Sequence, residues 1–212
     1  MVALPVTPIN VQLLKTLNEH PNATVATDVP SDEADSGAIT VPADRLRFDN
    51  PQWEEYFMAT IIRQVHIGLE LDEGQKVQAK LHSLIICSKD GQCWHVVDTA
   101  KARGKFGTLV VSLPAAHVGG DLILRHNGHE QKFVTATEIP IEIKWVAYYA
   151  GTEHELEPVT SGCTVVLLYS LLQTGIEAIP RPPSKSLSHR AIAFRDVADN
   201  WARYYPHPMA VV

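Results

Sequence analysis

The spacing of apolar positions changes once along the chain, and the change separates a helix from a run of strands. In NPQWEEYFMATIIRQVHIGLEL, Trp53, Phe57, Ile61 and Val65 recur every four residues, and Ile62 and Leu69 widen the stripe. Asn50 is a good N-cap and Pro51 suits a first turn, so an amphipathic helix is predicted over 51–69. Beyond it the period falls to two, or to short apolar runs. KVQAKLHSLIICS (76–88) reads as a strand and FGTLVVSLP (106–114) as a buried one. GGDLILRH and GHEQKFVT form a hairpin about Asn127-Gly128, a dipeptide suited to a type I′ turn. With IEIKWVAYYAG (141–151) and GCTVVLLYSLLQ (162–173) the count reaches at least six strands, which predicts a sandwich or barrel.

The ends are different in kind. Residues 1–44 read as an arm, because TDVPSDEADSGA is acidic, small and turn-rich. The remainder, 45–212, is expected to be a single domain. Its tail passes from the proline-rich PRPPSKS into LSHRAIAFRDVADNWARYY, a predicted helix over 186–205 that would pack on a sheet.

Composition narrows the function classes. With 212 residues, 45% hydrophobic and 20% charged, the chain can bury a sizeable core. A net charge of −6 with scattered Lys and Arg argues against nucleic acid as a partner. No apolar run reaches membrane-spanning length, and the N-terminus lacks the basic and apolar regions of a signal peptide. The three cysteines, Cys87, Cys93 and Cys163, form no CxxC pair, so a reduced cytoplasmic chain is expected.

GQCWHVVDT (91–99) carries the first chemistry. His95 and Asp98 stand in a His-x-x-Asp spacing, where a facial iron site uses His-x-Asp. Two further runs are specific: FGTLVVSLPAAHVGGDLILRHNG, and IKWVAYYAGTEHELEPVTSG continuing into CTVVLLYSLL. Over roughly residues 45–212 the chain resembles a fungal branch of the Fe(II)- and 2-oxoglutarate-dependent oxygenases, the prolyl-4-hydroxylase-like group. The resemblance implies a double-stranded β-helix, a jelly-roll or cupin-like barrel that is mostly β with flanking helices. It also implies an iron held by His-x-Asp and a later histidine, and an arginine after Ser-Gly that anchors the oxoglutarate carboxylate through its fork.

Position by position, Asp98 falls on the family's aspartate and His154 on its distal histidine. The proximal histidine falls on Val96, one residue after His95, and the arginine falls on Thr164. Side chains alternate along a strand, so a one-residue shift turns His95 away from Asp98 unless a bulge intervenes. A threonine hydroxyl does not neutralise a carboxylate. The resemblance is therefore to a degenerate member, and no cofactor is expected.

Asp98 and His154 become the candidate catalytic pair, with the aspartate orienting a histidine that polarises a carbonyl or moves a proton. The equally simple reading is that both remain by descent and bond structurally. His95, His126, Trp145, Tyr149 and Thr164 are candidate substrate contacts. Of Trp145 and Tyr149, which share a strand face, one is expected to line the pocket. His117, His126 and His129 are expected at solvated strand ends, with His126 also able to face the cavity. Glu153 and Glu155 are expected on the surface, and Cys93 and Cys163 as buried small hydrophobes.

The expected function is metal-independent cyclisation, cycloaddition of the Diels-Alder type, or isomerisation of a small apolar natural-product intermediate. A homodimer is compatible with this. Two alternatives stand beside it. One is a working oxygenase with His95, Asp98 and His154 on iron and Arg125 or Lys144 holding oxoglutarate. The other is a non-catalytic module that binds small molecules or proteins.

Overall fold

Two sheets of antiparallel strands face each other, and one long strand lies at the centre of the larger one. The computed structural model describes residues 2–3, 38–89, 104–126, 128–136, 143–175 and 210–211. In chain order the strands are β1 (Val2–Ala3), β2 (Ala38–Pro42), β3 (Val77–Ser88), β4 (Lys105–Ser112), β5 (His117–Gly119), β6 (Leu122–His126), β7 (His129–Phe133), β8 (Lys144–Tyr149), β9 (Glu153–Leu156), β10 (Val159–Gln173) and β11 (Ala210–Val211). The larger sheet runs β2-β3-β10-β4-β8, with β5 joined to the first part of β10; the smaller runs β7-β6-β9. β1 and β11 pair with each other.

This order is that of a jelly roll. β10 inserts between β3 and β4, so the last long strand closes onto the first. The chain passes from the larger sheet to the smaller after β4, returns for β8, crosses again for β9 and returns for β10. The expected double-stranded β-helix is thus present, with few helices. Residues 90–103, which join β3 to β4 in the chain, lie outside the described residues.

Each inner strand sorts its side chains by parity. On one face of the large sheet Leu84, Ile86, Leu109, Val111, Val165 and Leu167 meet the helix. On the other, Ile85, Val110, Val146, Val166 and Leu168 meet Leu122, Leu124 and Phe133 of the small sheet. A strand covered on both faces reads as a continuous apolar run, which is why VVLLY carries no alternation.

The helix begins where expected. Gln52 N donates to Asn50 Oδ1 at 2.9 Å. The first part, Trp53–Met58, is π-helical and leads into α1 (Ala59–Gly68). Trp53, Phe57, Ile61, Val65 and Leu69 are buried, as the four-residue stripe predicts. Two polar tethers fix this layer to the sheet. Trp53 Nε1 donates to Tyr169 Oη at 3.0 Å, and Tyr149 Oη donates to the Leu69 carbonyl at 2.7 Å. Burial, with Glu70 and Asp72 nearby, pushes the Tyr149 phenol up to about 12, so it stays a donor at neutral pH.

Ala38–Pro42, inside the expected arm, pairs with β3 and buries Ile39 opposite Ile86. One expectation needs correction. The cysteines are not all reduced: Cys87 is disulfide-bonded, whereas Cys163 is a buried thiol, as expected. The predicted helix over 186–205 lies outside the described residues. Among the described residues no helix is long and apolar enough to cross a membrane.

The Trp53–Tyr169 tether yields a stability prediction. Tyr169→Phe leaves the indole N–H of a fully buried tryptophan without its acceptor, at a cost of about 1–3 kcal/mol. The urea midpoint of Tyr169→Phe should fall with the slope unchanged. An unchanged midpoint would show that the tether contributes nothing.

Candidate functional site

β9 is short and its two faces differ. Glu153 and Glu155 are exposed, as expected, and Glu155 takes a 2.7 Å hydrogen bond from Arg125 on the outer face. His154 and Leu156 are half-buried and turn to the inside, where Leu156 packs against the core between the sheets. His154 lies opposite Leu124 of β6. Its ring lies 5.5 Å from that of Tyr148, tilted by 35°. Nδ1 is 3.1 Å from the Thr152 carbonyl. A carbonyl only accepts, so Nδ1 carries the hydrogen, and in the neutral ring Nε2 is the basic nitrogen. His154 is thus positioned by the backbone two residues before it.

The other expected site residues are distributed as follows. His95 and Asp98, with Val96 between them, lie outside the described residues. His126 has the parity of Leu124, stands half-buried at the hairpin end, and faces an exposed His129 across it. Trp145 and Tyr149 belong to the helix-side core, and Tyr149 is held there by Leu69. Tyr149 therefore does not face His154. Its neighbour Tyr148 does. Trp145 borders the space between the sheets, although it packs on the helix side.

Thr164 faces inward on β10, opposite Cys87, and is 1% exposed. Among the described residues nothing hydrogen-bonds its hydroxyl. An atom at a Cβ position on Gly120 would meet Val159 Cγ2 at 3.0 Å, a tight approach, and His117 Cδ2 at 3.7 Å and Thr164 Cγ2 at 3.8 Å, ordinary contacts. The two cations considered for oxoglutarate are engaged elsewhere. Arg125 is spread between Glu130 at 2.8 Å and Glu155 at 2.7 Å on the outer surface. Lys144 donates to the carbonyls of Ala136 at 3.0 Å and Val134 at 3.4 Å. Among the described residues no group of three His, Cys, Asp or Glu side chains is arranged to hold a metal. His154 is the one expected donor within them.

Between the sheets lies a narrow cleft of about 20 Å³, room for about one water molecule. Its walls include Val110, Leu122, Phe133, Val146, Leu156 and Val166. His154 lies one inward step along β9 from Leu156, and Tyr148 one inward step along β8 from Val146, so the pair sits just past the cleft rather than in its wall.

Similarity to known structures is low. A 2OG-Fe(II) oxygenase-family oxidoreductase from Burkholderia pseudomallei shares 16% identity over 66% of this chain and 75% of that one, with a TM-score of 0.40. A prolyl hydroxylase from Trichoplax adhaerens, solved with a hypoxia-inducible-factor peptide, shares 13% identity over 76% and 75%, at a TM-score of 0.47. A prolyl-4-hydroxylase from Pseudomonas putida shares 12% over 68% and 77%, at 0.41. No protein-family pattern matches the sequence, and no curated protein is significantly similar to it. The strand order assigns the fold on its own.

Sequence reasoning missed two residues. Tyr148 has opposite parity to Trp145 and Tyr149, but both faces of β8 are buried, so parity alone did not say which looked toward His154. His117, expected to be solvated, is 5% exposed, with Nδ1 2.7 Å from the Ala115 carbonyl and Nε2 3.3 Å from Thr135 Oγ1. The paired Gly119-Gly120 that follows it was the available signal. Both have φ near +75°, a conformation that lets the chain turn back beneath its own histidine.

The packing at Thr164 is testable. Thr164→Val keeps the shape and removes a buried hydroxyl with no described partner, so unfolding free energy should stay within about 1 kcal/mol of the parent or rise. A loss above about 2 kcal/mol would reveal a bond to that hydroxyl.

Proposed function

We propose that this jelly roll serves a non-oxidative reaction. A small apolar molecule bearing a carbonyl is confined where His154 meets Tyr148, and is cyclised or isomerised there. A Diels-Alder cycloaddition is the specific form put forward. The observation that carries the reading is the inward-facing His154 with Nδ1 committed to the Thr152 carbonyl. Two roles toward a ligand are put forward for Nε2. In the imidazolium, Nε2–H donates to a substrate carbonyl and draws electron density from a conjugated dienophile. In the neutral ring, Nε2 accepts a proton from the carbon beside a carbonyl, the first step of an isomerisation.

Confinement supplies the rest of a cycloaddition. Holding diene and dienophile at near-attack distance can remove as much as about 7–11 kcal/mol of barrier without any transfer of charge. The tilted Tyr148 ring offers a flat apolar wall for such a π-system. Asp98 is proposed to support His154 from the segment outside the described residues. Thr164 in place of an arginine, together with the outward engagement of Arg125, supports a reaction that does not use oxoglutarate.

The cleft itself favours a second reading, a binding module for an apolar molecule. Its wall is formed largely by aliphatic and aromatic side chains, and His154 is not among them. The two readings differ at one residue. His154→Ala should abolish metal-free turnover of conjugated carbonyl substrates if the protein is an enzyme. It should leave binding of an apolar fluorophore intact in both cases. Turnover retained by a folded His154→Ala would remove the catalytic reading and leave the binding module.

The pH profile then separates the two modes of Nε2. Cycloaddition assisted by the imidazolium should slow as pH rises, whereas proton abstraction by the neutral ring should speed up. Anaerobic titration with Fe(II) and 2-oxoglutarate tests the oxidative alternative. A saturable visible charge-transfer band would overturn the non-oxidative proposal, and its absence from folded protein is the expected result.

A further inference from the structure

The hairpin between β6 and β7 carries a histidine on each strand, and the register sets the two face to face. His126 pairs directly with His129 across Asn127-Gly128. Directly opposed residues of an antiparallel pair point to the same face, with Cβ atoms about 4.5–5.5 Å apart. Parity identifies that face. Leu122 and Leu124 on β6, and Phe133 on β7, are buried on the inner side of the small sheet, and His126 and His129 alternate in step with them. The two imidazoles therefore project together from the inner face, at the hairpin end.

Ion pairs on the other face hold this register. Arg125 and Glu130 are the next pair along, joined at 2.8 Å. Arg125 also reaches Glu155 of β9 at 2.7 Å, so one guanidinium ties three strands together. The same alternation sends the acidic side chains away from the histidines. Glu130, Glu153 and Glu155 are exposed on the outer side.

The fold does not use either ring. His66, His82, His117 and His154 each hold a ring nitrogen within hydrogen-bond distance of a protein oxygen. Among the described residues His126 and His129 make no hydrogen bond or ion pair. His126 is half-buried and His129 exposed. A Cβ on Gly128, at the tip with φ +80°, would meet nothing within 4 Å, so the space around the turn is open. Two uncommitted imidazoles at a fixed spacing beside solvent suit an ion that takes nitrogen ligands and keeps water on its remaining positions.

We propose that His126 and His129 form a two-histidine seat for a borderline divalent cation, copper(II) foremost. Imidazole suits copper, nickel and zinc, whereas magnesium and calcium prefer carboxylate oxygens, which these strands carry on the other face. Among the first-row divalent metals copper(II) binds a given nitrogen site most tightly. The seat is separate from the iron set that the sequence resemblance implies, whose distal histidine falls on His154. That residue lies in the adjacent row, opposite Leu124, with Nδ1 already committed to the Thr152 carbonyl. The seat goes beyond the reaction proposed for His154 and does not depend on it.

The test is a copper(II) titration of the whole chain, followed by electron paramagnetic resonance. The tightest equivalent should show splitting from two imidazole nitrogens. His126→Asn and His129→Asn should each weaken that equivalent by about tenfold or more, because a single ring loses its tethered second contact. The double variant should lose little beyond either single one, since both rings hold the same ion. His154→Ala should leave the equivalent unchanged. An equivalent indifferent to both asparagine variants, losses that add in the double variant, or an equal loss in His154→Ala would overturn the seat. Should the variants not fold, substoichiometric copper decides by NMR of the parent protein. Broadening that reaches the His126 and His129 rings before any other histidine supports the seat, and broadening that begins elsewhere refutes it.

Discussion

β10 lies between β3 and β4, so its residues must satisfy two neighbouring strands and two packing layers at once. Val165, Leu167 and Tyr169 serve the helix side, and Val166 and Leu168 the inner side. The register carries this pattern outward. Leu168 faces Val110 and Val110 faces Val146, so parity on one strand fixes parity on its neighbours. A one-residue slip would exchange the two layers throughout the sheet. Close backbone packing holds the register as well: a Cβ on Gly107 would lie 2.5 Å from the Tyr148 carbonyl oxygen, leaving no room for a side chain there.

That constraint also decides which chemistry-bearing residues face the interior. Thr164 looks inward because Val166 does, and Tyr148 because Val146 does. On the small sheet, Leu122 opposite Leu156 and Leu124 opposite His154 place the histidine on the inner face while the glutamates beside it face solvent. His154 thus owes its direction to the alternation of EHEL and its ring orientation to the Thr152 carbonyl.

Much of this could be read from the chain, and the limits have physical causes. The helix was legible because its stripe is one-sided, and the hairpin because Asn127-Gly128 has few other uses. Glu153 and Glu155 were legible as surface because β9 alternates cleanly. Tyr148 was not, because β8 is covered on both faces and a continuous apolar run gives parity without direction. β2 escaped notice because AITVP is short and follows an acidic stretch, and its burial comes from pairing with β3 rather than from any pattern of its own. The disulfide at Cys87 was illegible in principle, since spacing alone does not fix pairing.

The position of Thr164 joins the two halves of the structure. Thr164 is buried on the inner face of β10, and among the described residues nothing hydrogen-bonds its hydroxyl. A side chain on Gly120 would come within 3.0 Å of Val159 and reach both His117 and Thr164, and φ there is +74°, so the turn after β5 is left to glycine. That turn is tied to the small sheet's end: Thr135 Oγ1 donates to the Gly120 carbonyl, and Asp121 accepts from Thr135 N. The parity of β10 and the backbone of one glycine turn thus settle the same corner of the barrel, the first by aiming Thr164 inward and the second by bringing His117 and Val159 up to it.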